Sequence, residues 1–270
     1  MGKDVAVRKP TLPANWQEQL RADAAAAKEA EKGVGLGQFV SVRGGVLSFQ
    51  GTPMPGNKMR CVVLASTLLN AYYEGEFDAD APSSPVCFAF GKVEAGMAPH
   101  ETSPKPQHED CATCEKNKFG SAEQGRGKAC KNGRRLGLVH VDDLKKDLPE
   151  WQVAFLQVPP TSLPSWATYV RSLDSQLSCP PYAVVTEVST VPDPKSVFKV
   201  LFTLVEVIKD KKALGAVFAK AKEVAEAIAF PFQPAEAPAA AAKKARKPEA
   251  TAKRAGKSGF GGAAAKPAKF

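Results

Sequence analysis

Four of the six cysteines in this 270-residue chain fall within 44 residues, as Cys87, Cys111, Cys114 and Cys130 in the spacing C-x23-C-x2-C-x15-C. A C-x-x-C turn sets two thiolates on one side of a tetrahedral ion, and two distant cysteines can close the other side. The spacing therefore predicts a zinc knuckle built into a larger domain, with Zn2+ as cofactor. Two other readings compete with it. A redox pair normally sits where a strand meets a helix, whereas Cys111 and Cys114 are flanked by a polar stretch rich in Gly, Lys and Asn. A disulfide framework belongs to an oxidising compartment and usually to a small secreted chain. His100 and His108 could replace one cysteine, but with four thiols present they read more simply as solvated loop histidines.

The charge is unevenly placed. Net charge is +9, yet the 241–270 stretch alone holds nine Lys or Arg against one Glu, which leaves only +1 for the rest. Around the cysteines, from Lys105 to Arg135, eight Lys or Arg face four Asp or Glu. Four zinc-bound thiolates would leave the site at −2, so part of this patch serves to offset the metal centre. No apolar run approaches the roughly 20 residues of a membrane helix, and no apolar segment with a small-residue cleavage site opens the chain, which predicts an intracellular protein.

Residues 15–32 are strong helix formers that stop at Gly33, with Asn15 as N-cap, and 1–35 reads as an N-terminal helix and hinge. From Phe39 the apolar period becomes two. Residues 39–49 suggest a hairpin turning at Gly44-Gly45, and 59–66 a second strand. The knuckle and its loops fill 85–135, and 136–141 and 151–158 are strand candidates. Residues 162–177 have helical spacing with Ser162 as N-cap, and 182–188 and 197–208 are paired strands. Asp210 caps an amphipathic helix over 210–230, and 231–270 is an Ala/Lys/Pro tail whose composition cannot form a core.

The order strand, strand, inserted knuckle, strand, helix, strand, strand matches an OB-fold. The expected fold class is thus mainly β with peripheral helices: an OB-fold-like five-stranded Greek-key barrel over 36–209, with an inserted zinc knuckle and an amphipathic C-terminal helix. Such barrels bind single strands by tracking phosphates with cations and stacking bases on aromatic rings. Candidate cations are Arg43, Lys58, Arg60, Lys116, Lys118, Arg126, Lys128, Arg134 and Arg135. Candidate rings are Tyr72, Tyr73, Phe77 and Phe119, with Phe49 and Trp151 behind them. Any one aromatic is more often core than platform. Tyr72, Tyr73 and Phe119 are favoured because their neighbours are polar.

The succession Ala71-Tyr-Tyr-Glu-Gly-Glu-Phe-Asp, Ser84-Pro-Val-Cys87-Phe, Cys111-Ala-Thr-Cys114-Glu-Lys-Asn-Lys-Phe-Gly-Ser121, Gly127-Lys-Ala-Cys130, Arg134-Arg-Leu and Leu156-Gln-Val-Pro-Pro resembles a family of tailed-bacteriophage single-stranded DNA-binding proteins. The likeness spans roughly 36–210. It implies an OB-like fold, a metal site at Cys87, Cys111, Cys114 and Cys130, and non-catalytic, largely sequence-independent binding of single-stranded DNA, or RNA, in phage replication or recombination. It also implies the cytoplasm of the infected bacterial host, with phage or host replication and transcription proteins, or further copies of the chain, as partners. Many single-strand binders end in an acidic tail, whereas this chain ends in Lys-Pro-Ala-Lys-Phe270.

An enzyme is the less favoured class. No H-x-E precedes the cysteine pair as in zinc deaminases, four thiols fill the open position a catalytic zinc needs, and there is no Walker lysine motif or nucleophile elbow. A zinc-bearing adaptor for a phage or host polymerase is the alternative that the same residues could serve.

Overall fold

In the computed structural model, residues 15–30, 39–75, 83–123 and 125–232 are described; the basic tail and Phe77 lie outside them. The protein is mainly β, a curled mixed sheet forming a half-barrel with a few helices. Helix α1 (Trp16–Ala30) comes first, and its Trp16 and Leu20 are exposed. The strands are β1 (Phe39–Arg43), β2 (Val46–Phe49), β3 (Thr52–Pro53), β4 (Lys58–Tyr72), β5 (Cys87–Gly91), β6 (Lys131–His140), β7 (Val153–Val158), β8 (Val184–Asp193) and β9 (Val197–Val207). Helix α2 (Leu163–Leu177) lies between β7 and β8, and α3 (Lys211–Ala227) follows β9.

The sheet order is β3-β2-β1-β7-β6-β4-β8-β9, with β5 also on β4. All pairings are antiparallel except β1 with β7, where Phe39 stands opposite Phe155. The spine is β4. Its first residues pair with β8, its last with β5, and nearly its whole length with β6. A register shift between Val63 and Ala65 interrupts the β4–β6 ladder, and such bulges bend and twist a strand, which curls the sheet.

Both faces of the sheet are covered. Inside the curl, Cys61, Val63, Leu136, Leu138, Leu156 and Val188 pack on Trp166, Tyr169 and Leu173 of α2. Outside, Val62, Leu64, Val139, Phe155 and Val185 pack on Val217, Ala221, Val224 and Ile228 of α3 and its end. Two covered faces explain why 61–64 is continuously apolar rather than alternating.

The sequence expectation differs from the fold in three places. Two strands, β6 and β7, separate the knuckle from α2, so the β1–β2 hairpin lies outside the five-strand succession and pairs alongside β7. The Ser162 hydroxyl does not cap α2; it accepts the amide of Val200 at 2.9 Å and ties the helix to β9. Asp210 does cap α3, accepting the Ala213 amide at 2.6 Å, but the segment after α3 does not leave the body at 231. Phe230 meets Phe155 at 4.8 Å, and Phe232 meets Phe88 at 5.2 Å between ring centroids.

Helix α3 sits directly on β6 because position 137 has no side chain. A Cβ there would stand 2.5 Å from Val224 Cγ1. Gly137→Val is therefore expected to lift α3 from the sheet at a cost of about 1–3 kcal/mol, measured as a lower urea midpoint. Among the described residues no helix is long and apolar enough to cross a membrane.

Candidate metal centre and nucleic-acid interface

The cysteine segment is assembled at the far end of β4. Cys87 opens β5 opposite Tyr72. The chain then doubles back along β5: Lys105 donates its amide to the Val86 carbonyl at 2.7 Å, and His100 to that of Phe88 at 2.7 Å. The Ser103 hydroxyl meets both the amide and the carbonyl of Phe88. The Cys111 amide bonds the Met97 carbonyl at 2.8 Å, and the Cys130 amide bonds the Lys116 carbonyl at 2.8 Å, just before β6 begins.

The Asn-Lys-Phe-Gly-Ser stretch locks these arms together. Asn117 Nδ2 donates to the Cys111 carbonyl at 2.7 Å, and Asn117 Oδ1 accepts from Lys128 Nζ at 3.2 Å. The Ser121 hydroxyl bonds the carbonyls of Lys116 and Lys118 and accepts the Ala129 amide at 3.0 Å. Gly120 turns the chain at φ +86°, a region that disfavours a side chain. The sequence reading used this motif only as a mark of resemblance; the positioning roles of Asn117 and Ser121 were legible in it as turn-forming residues.

All four thiols line one cavity of about 20 Å³, together with Asn70, Tyr72 and His108. The space suits a single water-sized body. Cys130 is pushed up to about 12 by burial and then by the neighbouring Cys111, Cys87 and Cys114 thiols. Cys111 is raised by burial, with Cys87, Cys114 and Asp110 adding to it, and Cys87 is raised by burial and by Cys114. All six cysteines are free of disulfides. Among the described residues, no group of three or more His, Cys, Asp or Glu side chains stands ready-made to hold a metal ion. The donor set fits Zn2+, since four soft thiols are the ligand set of a structural tetrahedral site.

The candidate nucleic-acid residues do not form one patch. Lys58 and Arg60 lie at the opposite end of β4 from Tyr72, roughly 40 Å along the strand, and share Glu187 at 2.8 and 3.7 Å. Arg43 is exposed at the tip of the β1–β2 hairpin. Near the cysteines, Phe119 is 82% exposed with Lys128 Nζ 5.1 Å from its ring centre. Arg126 and Lys118 are exposed, the latter paired with Glu115. Arg134 is half-buried, with Nη1 on Ser66 Oγ at 3.2 Å, and burial lowers its pKa.

Four of the named groups, Tyr72, Trp151, Phe49 and Arg135, serve the interior instead. Tyr72 is buried against the thiol cavity with Lys116 Nζ 5.0 Å over its ring, so neither face is free for a base. Trp151 belongs to the core under α3, and Phe49 packs against the core inside the curl. Arg135 is fully buried, because β6 alternation turns it to the face that α3 and its trailing segment cover. Tyr73 is half-buried, and burial raises its pKa while Arg135 lowers it. No family model, curated protein or solved structure matches the chain.

Proposed function

We propose that the protein binds single-stranded nucleic acid without catalysis, in the manner of the phage single-stranded DNA-binding family that its sequence resembles. The supporting observation is the strand succession β7-β6-β4-β8-β9 with α2 between β7 and β8, which is the succession of an OB-fold with its helix between the third and fourth strands. Cys87, Cys111, Cys114 and Cys130 would hold Zn2+. A bound zinc supplies cross-linking rather than reaction chemistry, fastening the 92–130 loop to the ends of β5 and β6. Asn117 and Ser121 orient the arms of the loop, and Phe119 with Lys128, Lys118 and Arg126 presents an aromatic and cationic rim to the strand. The replication or recombination role, the host cytoplasm and the replication partners follow from that family.

The test is a gel-shift series with single-stranded DNA, double-stranded DNA and RNA. Salt-sensitive, sequence-tolerant binding to single strands is expected, and absence of single-strand binding overturns the reading. The basic tail adds to affinity through counterion release. Deleting 235–270 is expected to weaken binding and flatten its dependence on salt; an unchanged slope removes the tail from the interface.

One observation favours the adaptor as second reading. Strand β9 is a sheet edge, and its Leu204, Val205 and Val207 are exposed. An open apolar edge can take a partner's strand. Stoichiometric zinc with no strand binding would support that reading.

A further inference from the structure

The spine strand β4 has one edge left open over a short stretch, while its other edge pairs with β6. Strand β8 leaves it after Cys61, and β5 joins it only at Leu68. Over the gap lies a groove of about 410 Å³, floored by Leu64 to Thr67 and walled by α3. Tyr182 closes one end and Phe90 to Lys92 the other. None of these residues is among the nucleic-acid candidates read from the sequence.

The chemistry of the groove is specific. Phe218 is 46% exposed although it stands on the helix that covers the sheet, and its ring lies 6.1 Å from that of Tyr182. Lys222 Nζ stands 4.5 Å from the Phe218 ring centre. Lys92 is exposed at the other end. The groove is lined without an Asp or Glu. Among the described residues, neither Lys92 nor Lys222 has a carboxylate within ion-pair distance. A half-exposed ring with a cation on one face and no carboxylate beside it suits a planar ligand that carries negative charge.

We infer that the groove between α3 and the open edge of β4 is a nucleotide subsite, taking a base against Phe218 and Tyr182 and its phosphate on Lys222, with Lys92 at the far end meeting a neighbouring phosphate. The inference rests on the single-strand-binding reading and names where on the fold a nucleotide of that strand lies. It also accounts for α3, which covers the outer face of β4 and β6 and so leaves that face closed to bases. The strand is then held at the margin of the helix rather than across the sheet. A peptide strand added to the open stretch of β4 is the other occupant to be tested.

Anisotropy of a fluorescein-labelled oligothymidylate reads the site in the full-length protein. Phe218→Ala is expected to weaken binding roughly 5- to 100-fold, the range of a lost stacking contact. Lys222→Gln should lower the salt slope by about 0.7, one phosphate contact to a single strand. Both positions are exposed, so thermal unfolding should match the wild type; if Phe218→Ala loses stability, Lys222→Gln decides. A 5-iodouracil oligomer should cross-link to Tyr182 or Phe218. Wild-type binding that survives both substitutions, with cross-links only at Phe119, overturns the groove and leaves the function standing. No single-strand binding by the wild type overturns both, and unaltered strand binding with a peptide protecting β4 assigns the groove to a protein partner and overturns the inference.

Discussion

Cys111→Ser is expected to yield protein without metal, where the wild type carries one zinc per chain, and to open the 92–130 loop to proteases. Four thiols border one small cavity, and burial together with neighbouring thiols opposes ionisation of Cys130 and Cys111. Without a cation nothing cross-links the loop. Structural zinc contributes about 10–16 kcal/mol to the folding of small zinc modules, comparable to the whole stability of a domain, about 5–15 kcal/mol. Here the loss should be local. Neither hydrophobic core contains a residue from 92–130, so the half-barrel keeps packing that the metal does not provide. The expected signature is therefore split: metal content falls to zero and proteolysis concentrates in the loop, while far-ultraviolet circular dichroism of the sheet persists. Metal analysis with limited proteolysis measures it. Full zinc retention by the variant would remove Cys111 from the ligand set.

The legible part of the sequence is where one physical demand acts on a segment. The stripe from Leu214 to Ile228 had only one face to bury, so its period announced α3, and Asp210 announced its cap. Cysteine spacing brought four distant residues to one cavity because those positions answer to each other rather than to the core. Strand β4 was legible only in part, since burial on both faces erases alternation, and its continuation to Tyr72 was hidden behind polar neighbours. Those neighbours also misdirected the reading of Tyr72: Asn70 and Lys116 are polar because they line the thiol cavity and cover its ring, not because the ring faces solvent. Arg135 was read as a phosphate ligand from its charge. Position in β6 decides otherwise, as Leu136 and Leu138 turn inward and Arg135 and Gly137 meet the segment that covers the other face. That a buried arginine would find its partners almost a hundred residues later could not be read from local pattern.

Arg135→Ala is expected to destabilise the protein by on the order of 3–5 kcal/mol and to free the segment that follows α3. Arg135 Nη1 donates to the carbonyls of Ile228 at 3.0 Å and Phe230 at 2.6 Å, at the frayed end of α3. Its guanidinium lies 4.1 Å from the Phe230 ring centre, 4.5 Å from Phe90, 5.2 Å from Phe232 and 5.9 Å from Phe39. Charged donors to carbonyls contribute about 1.5–3 kcal/mol each, and a desolvated cation–π contact about 2 kcal/mol. Against them stands the desolvation of a charge that, among the described residues, has no carboxylate partner and whose Nε and Nη2 find no acceptor there, a penalty of several kcal/mol. Burial pushes its pKa down to about 10, so it stays charged at neutral pH and the penalty is present there. Truncation to alanine relieves that penalty, but it orphans two carbonyls and empties a cage of four rings. Arg135→Met separates the two effects, because it removes the charge while keeping most of the volume. Its loss of stability should be the smaller of the two, while the 228–232 segment is released in both variants. Urea unfolding gives the stabilities, and solvent protection of the Phe230 and Phe232 amides gives the release. Equal stability of Arg135→Ala and wild type would show that the cage binds no more tightly than the charge is penalised.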